Sequence, residues 1–168
     1  GYRQVDLSAK VLVVLVALEF LIVIALNASI LFSGGASGLN LEPFTWTQIM
    51  SGTPSIGFLF CFAGFIGFEA TTIYSEEAKD ASVTVPKATY ISVLAIGIFY
   101  TITSWLMTMG IGVDNLLPTL QGLPDPSAFL FILGETYLGA TASMIMGILF
   151  MTSIFAAVLA FHTAVARY

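Results

Sequence analysis

Two carboxylates sit where charge is expensive. Glu19 is the only charged residue from Val11 to Phe32, and Glu69 falls inside the apolar run from Ile56 to Tyr74. Both runs are long enough to cross a bilayer. An ionisable group at that depth is a functional hypothesis by default, as a proton carrier or as the partner of another charge. The run around Glu69 also holds Phe62-Ala63-Gly64-Phe65-Ile66-Gly67-Phe68-Glu69-Ala70, with two glycines three apart. Gly costs ~1 kcal/mol against Ala in a helix interior. A helix interrupted there frees backbone amides and carbonyls toward a protected cavity, which is how secondary transporters build a substrate site. The competing reading is that Gly64 and Gly67 only let helices pack closely.

The remaining chemistry is sparse. Thr152 and Ser153 offer adjacent hydroxyls in a late apolar run, and His162 is the sole histidine. His162 reads as a pH-sensitive group or, more simply, as a packed or interfacial polar residue. Cys61 stands alone, which excludes a disulfide framework or a cysteine metal cluster within the chain; it is expected as a small buried hydrophobe or, as the lesser alternative, as part of a cavity lining. An intramembrane enzyme would need a nucleophile with a base, paired aspartates or His–Glu metal spacing, and the sequence offers none of these. No cofactor or metal is expected.

Composition sets the class. The 168 residues are 58% hydrophobic and 9% charged, against roughly 25% charged in a typical soluble domain. The mean hydropathy is +0.97. These values describe a membrane protein, all-α and integral. The five basic residues form no patch, so no nucleic-acid partner is expected.

Four transmembrane spans are expected, over about 11–32, 54–77, 87–112 and 139–168, with a surface helix over about 126–136. Asp6 or Ser8 is placed to cap the first helix. Ser33-Gly34-Gly35-Ala36-Ser37-Gly38 ends it and opens a loop to about Gly52, in which Phe44 and Trp46 suit the headgroup level. Pro86 fits the first turn of the third span, whose many Thr and Ser side chains can bond across helix faces. Asp114 to Gly122 reads as loop. Arg3, Lys10, Lys79, Lys87 and Arg167 fall on one side of this arrangement, and Glu42, Asp114, Asp125 and Glu135 on the other. That is a positive-inside pattern, placing both ends and the 76–87 connection in the cytosol. The chain opens on Gly1-Tyr2-Arg3 without an initiator methionine and stops on Arg167-Tyr168 at a helix end, so it is expected to be a piece of a longer protein.

Three blocks then carry a resemblance. Phe65-Ile66-Gly67-Phe68-Glu69-Ala70-Thr71-Thr72, Glu76-Glu77-Ala78-Lys79-Asp80 and Thr84-Val85-Pro86-Lys87-Ala88 follow one another over some 25 residues. This order and spacing resembles the sixth helix and following loop of the amino acid–polyamine–organocation (APC) permeases. Asp6-Leu7-Ser8-Ala9-Lys10 resembles the entry to the fifth helix, and Thr152-Ser153 through Ala160-Phe161-His162-Thr163-Ala164-Val165-Ala166-Arg167-Tyr168 the eighth. One departure is Asp80-Ala81, where the family usually has proline after the acid or amide.

The resemblance implies helices five to eight of about twelve, within a five-plus-five inverted repeat whose sixth helix, here the second span, is discontinuous. It implies secondary transport of an amino acid or related amine across the cytoplasmic membrane by alternating access, driven by protons or by exchange, with a channel or non-transporting membrane subunit as the alternative. Phe62, Ala63, Gly64, Phe65, Ile66 and Gly67 would bind substrate, the ammonium group lying near the break. Phe62, Phe65 and Phe68 would form a lid or pocket wall, or face lipid. Glu69 would pair at an inner gate, carry a proton or face an inner vestibule. Glu19 would lie where some members carry a lysine in place of sodium, acting as a protonatable group or a structural hydrogen-bond partner. Thr152 and Ser153 lie near that place, where hydroxyls could ligate sodium, the lesser alternative to a proton. The other expected partners are the lipid bilayer and the remaining helices of the parent transporter.

Overall fold

A computed structural model describes residues 2–67 and 80–165 of the chain. Among the described residues there are seven α-helices, one 3₁₀ turn and no strand. The helices are α1 (Tyr2–Ser33), α2 (Trp46–Met50), α3 (Pro54–Gly64), α4 (Ala81–Ile111), α5 (Val113–Gly122), α6 (Ala128–Leu138) and α7 (Ala140–Val165). The 3₁₀ turn, Glu42–Phe44, precedes α2. Among the described residues three helices are long and apolar enough to cross a membrane: Val13–Ser33 within α1, Ala81–Ile111, and Ala140–Leu159 within α7.

The second expected span is described only in its first part. Its helix α3 has 11 residues, about half of the ~20 needed to cross the hydrocarbon core. The stretch 68–77 that would complete it, with Glu69 and Phe68, lies outside the described residues. So do Glu76, Glu77 and Lys79 of the connection that follows.

Several boundaries shift from the sequence reading. Helix α1 begins at Tyr2, so Asp6 and Ser8 lie within the helix and do not cap it. Helix α4 begins at Ala81, placing Pro86 in its second turn. Asp80 makes the earlier start possible: its carbonyl accepts from the amides of Val83 and Thr84, and its carboxylate from the Ser82 hydroxyl at 2.8 Å. Asp114 to Gly122, read as loop from the sequence, lies within α5. There the amides of Asn115 and Leu116 bond the Gly112 carbonyl and start a new helix directly after α4. Two threonines of α4 bond within their own helix, Thr89 donating to the Val85 carbonyl and Thr101 to the Gly97 carbonyl.

The chain forms two compact units. The first holds α1, the last turns of α4 from Leu106, and α5 to α7. Its core is a stripe from each of α1, α4, α6 and α7 at three- or four-residue spacing: Leu26 and Ile30, Leu106 and Met109, Phe129 and Leu133, Met146 and Leu149. Such spacing is one face of an α-helix. Helices α1, α6 and α7 pack on one another. Two hydroxyls tie the helices together, Ser29 donating to the Tyr137 carbonyl at 2.9 Å and Ser143 to the Phe131 carbonyl at 3.0 Å. Helix α6, expected on the membrane surface, buries Phe129, Leu133 and Gly134 in this core. Its entry is an Asp turn, the Ser127 amide donating to the Asp125 carboxylate at 2.9 Å. That bond and one from the Ser127 side chain hold the Asp125 carboxyl below its ordinary value.

The second unit holds the 3₁₀ turn, α2, α3 and α4 as far as Trp105. Phe44 and Trp46 are exposed there. Gln48 Nε2 donates to the Glu42 carboxylate at 3.1 Å, closing the turn between them.

Candidate functional site

The expected substrate-binding residues gather at the C-terminal end of α3, in the second unit. The helix ends by tightening: the Phe65 amide bonds the Phe62 carbonyl at 3.1 Å and the Ile66 amide the Ala63 carbonyl at 3.2 Å. These are three-residue steps, the pattern of a helix terminus closing on itself. Gly67 then takes φ +105, a conformation that L side chains rarely adopt. The two glycines therefore do different things. Gly67 supplies the turn out of the helix. Gly64 supplies proximity, since a Cβ there would lie 3.2 Å from Cε2 of Tyr100 on α4.

Tyr100 also meets Phe65 edge-on, with ring centroids 6.4 Å apart. A Cβ on Gly97 would lie 3.6 Å from Phe65 Cζ. So the end of α3 rests on the Gly97–Tyr100 turn of α4. Phe62 and Ile66 are open, 76% and 65% exposed. Phe58, Cys61, Phe62, Phe65 and Val93 line a depression of about 370 Å³. Cys61 is thus exposed and lines the depression, the lesser of the two expectations for it, and is not a buried hydrophobe. The spacing 58, 61, 62, 65 marks one helix face, so the α3 side of the depression was readable in advance. Val93 and Tyr100 carry no such signal.

In the first unit, Glu19 and Ser153 line one small cavity of about 130 Å³, together with Ile22, Val23, Met146, Leu149 and Phe150. Glu19 Oε1 is buried and has no hydrogen-bond partner among the described residues. A buried carboxylate oxygen without a donor is costly, and a proton, a water or a cation would relieve it. Thr152 is different: its hydroxyl donates to the Leu149 carbonyl at 2.7 Å, within α7. The structure brings Glu19 and Ser153 together and turns the Thr152 hydroxyl to its own helix. His162 is exposed on α7. Glu69 lies outside the described residues. Among those residues, no group of three or more His, Cys, Asp or Glu could hold a metal ion.

A family model described as amino acid permease matches residues 2–168. No curated protein and no solved structure matches the chain.

Proposed function

The chain belongs to the amino acid permease family, hence to amino acid transport across a membrane, and we propose that it supplies a broken-helix substrate site and a separate coupling site to a proton-driven or exchanging transporter. The observation that carries this reading is the termination of α3 at Gly64 followed by Gly67 at φ +105. A helix C-terminus presents partial negative charge on its last carbonyls. An amino acid ammonium placed against residues 62–67 would be attracted to that end, and the apolar wall of Phe58, Phe62 and Phe65 would suit the carbon part of a substrate. Phe62, Ala63, Gly64, Phe65, Ile66 and Gly67 are the substrate-binding residues on this reading.

Glu19 is the coupling group, with Ser153 beside it. Proton binding at Glu19 changes the charge in a cavity that gives Oε1 no donor, and so favours one state of the cycle over another. Sodium is the lesser alternative, through Ser153 and Glu19 oxygens. Glu69 is assigned to the inner gate. In this arrangement α1, α3, α4 and α7 belong to helices five to eight of the inverted repeat, and the transporter's other helices complete the pocket. The positive-inside pattern of the basic residues supports a cytosolic position for the 76–87 connection and both ends of the chain on this reading.

The test is uptake of a labelled amino acid panel by the full-length transporter in proteoliposomes, with and without an inward proton gradient. Accumulation that requires the gradient supports proton coupling. Uptake that requires internal amino acid instead supports exchange. Ion current without saturable uptake would replace the reading with a channel.

A further inference from the structure

The last four carbonyls of an α-helix have no partner within it. At the C-terminal end of α4 each of the four finds one. The Thr108 carbonyl accepts from the Gly112 amide at 2.9 Å, and the Met109 carbonyl from the Ala36 amide at 2.9 Å. The Gly110 carbonyl accepts from the Tyr137 hydroxyl at 2.7 Å. The Ile111 carbonyl accepts from the Asn115 side-chain amide at 3.3 Å. Three of the four donors belong to other segments: the turn after α1, helix α5 and helix α6.

The packing is as closed as the bonding. Met109 and Gly110 are buried, so their carbonyls require donors from protein. A Cβ on Gly110 would meet Ile30, Leu133 and Tyr137 side chains at 3.1 to 3.4 Å. A Cβ on Gly35 would lie 2.6 Å from the Met109 carbonyl oxygen, and Gly35 has φ +71. Only glycine lets that turn lie against the helix end. Tyr137 also accepts the Ser29 hydroxyl on its own carbonyl, so one residue joins α1, α4 and α6. The Tyr137 and Ser29 bonds are part-buried and the Asn115 bond is exposed, and a satisfied network about a buried helix end rigidifies what it joins. Segments that move in a functional cycle are instead drawn from regions with few buried contacts and exposed backbone bonds.

We infer that the C-terminal end of α4 is a fixed anchor of the transport cycle, held to the turn after α1 and to α5 and α6 in every state, with Tyr137 as its principal positioning residue. Rearrangement of α4 is then confined to the part before this end.

Two measurements on the full-length transporter test this. Hydrogen exchange of Tyr137→Phe, which keeps the ring and removes only the donor, should be faster at residues 34–37 and 108–112, by roughly two- to tenfold for one lost neutral hydrogen bond. Unchanged exchange at both segments overturns the inference. The second is a disulfide lock, Ala36→Cys with Gly112→Cys in a Cys61→Ser background. A Cβ on Gly112 would lie 3.9 Å from the Ala36 Cβ, within disulfide range. Oxidised and reduced protein should transport the amino acid panel at the same rate, within about twofold, if the segment is static. Transport lost on oxidation and regained on reduction overturns the anchor. Gly112 has φ +89, so this double variant is the one at risk of misfolding, and the exchange experiment stands without it. Exchange also needs no transport activity, so a failed transport reading would leave it interpretable.

Discussion

At the scale of single residues, Glu19 and Ser153 separate from Thr152. Glu19→Gln keeps the shape of the side chain and removes the exchangeable charge. We expect it to abolish gradient-driven accumulation while leaving exchange of internal for external amino acid, measured in the same vesicles. Loss of both in folded protein would make Glu19 structural. Ser153→Ala should weaken the response to the gradient, whereas Thr152→Ala removes only a bond to its own helix and should alter stability by about 1 kcal/mol or less, read as a small change in melting temperature. Glu19 stood out in the sequence as the one charge in an apolar run. Its neighbours Met146, Leu149 and Phe150 did not, because α7 is apolar on every side and its periodicity does not say which face meets α1.

At the scale of elements, glycine positions decide where helices stop and touch. Gly67→Ala imposes a side chain at φ +105 and should cost about 1–3 kcal/mol. On the proposed function it should also raise KM for the transported amino acid more than Gly64→Ala, whose Cβ meets a movable tyrosine ring edge. A substrate KM indifferent to Gly67→Ala would remove the break from the site. Gly35→Ala places a Cβ against a backbone oxygen that cannot move aside and should lower the yield of folded protein more than either. The Asp125 turn has its own signature. Its folded carboxyl titrates below the ordinary 3.8, so its contribution is full above that pH and is lost as pH falls through the lowered folded value. Asp125→Asn should therefore flatten the acid limb of the stability profile by lowering the neutral plateau toward the acid value, with little change at the acid end. The glycine pair and the end of α1 at the Gly34-Gly35 turn were legible in sequence. Helix α5 was not, because Asp114, Asn115 and Pro118 are loop formers by type, and only the Gly112 carbonyl accepting two amides shows that they start a helix.

At the scale of the molecule, the low charge and the long apolar runs were enough to specify a helical membrane protein, and the motif order from Phe65 to Ala88 was enough to specify the family that matches residues 2–168. The division into two units was not readable, since α4 contributes to both and nothing in its composition changes at Trp105. Orientation rests on charge placement. Cysteines introduced at Ser82 and at Gln121 should label from opposite sides of sealed vesicles, Ser82 from the cytosolic side; labelling of both from one side would contradict the arrangement of basic residues. The central claim is transport of an amino acid through a broken-helix site. Its most direct test is uptake of labelled amino acids by the full-length protein in proteoliposomes, comparing wild type with Gly67→Ala. Saturable uptake by the wild type and a raised KM in the variant are expected, whereas no saturable uptake of any amino acid by folded, correctly oriented protein would rule out transport through this site.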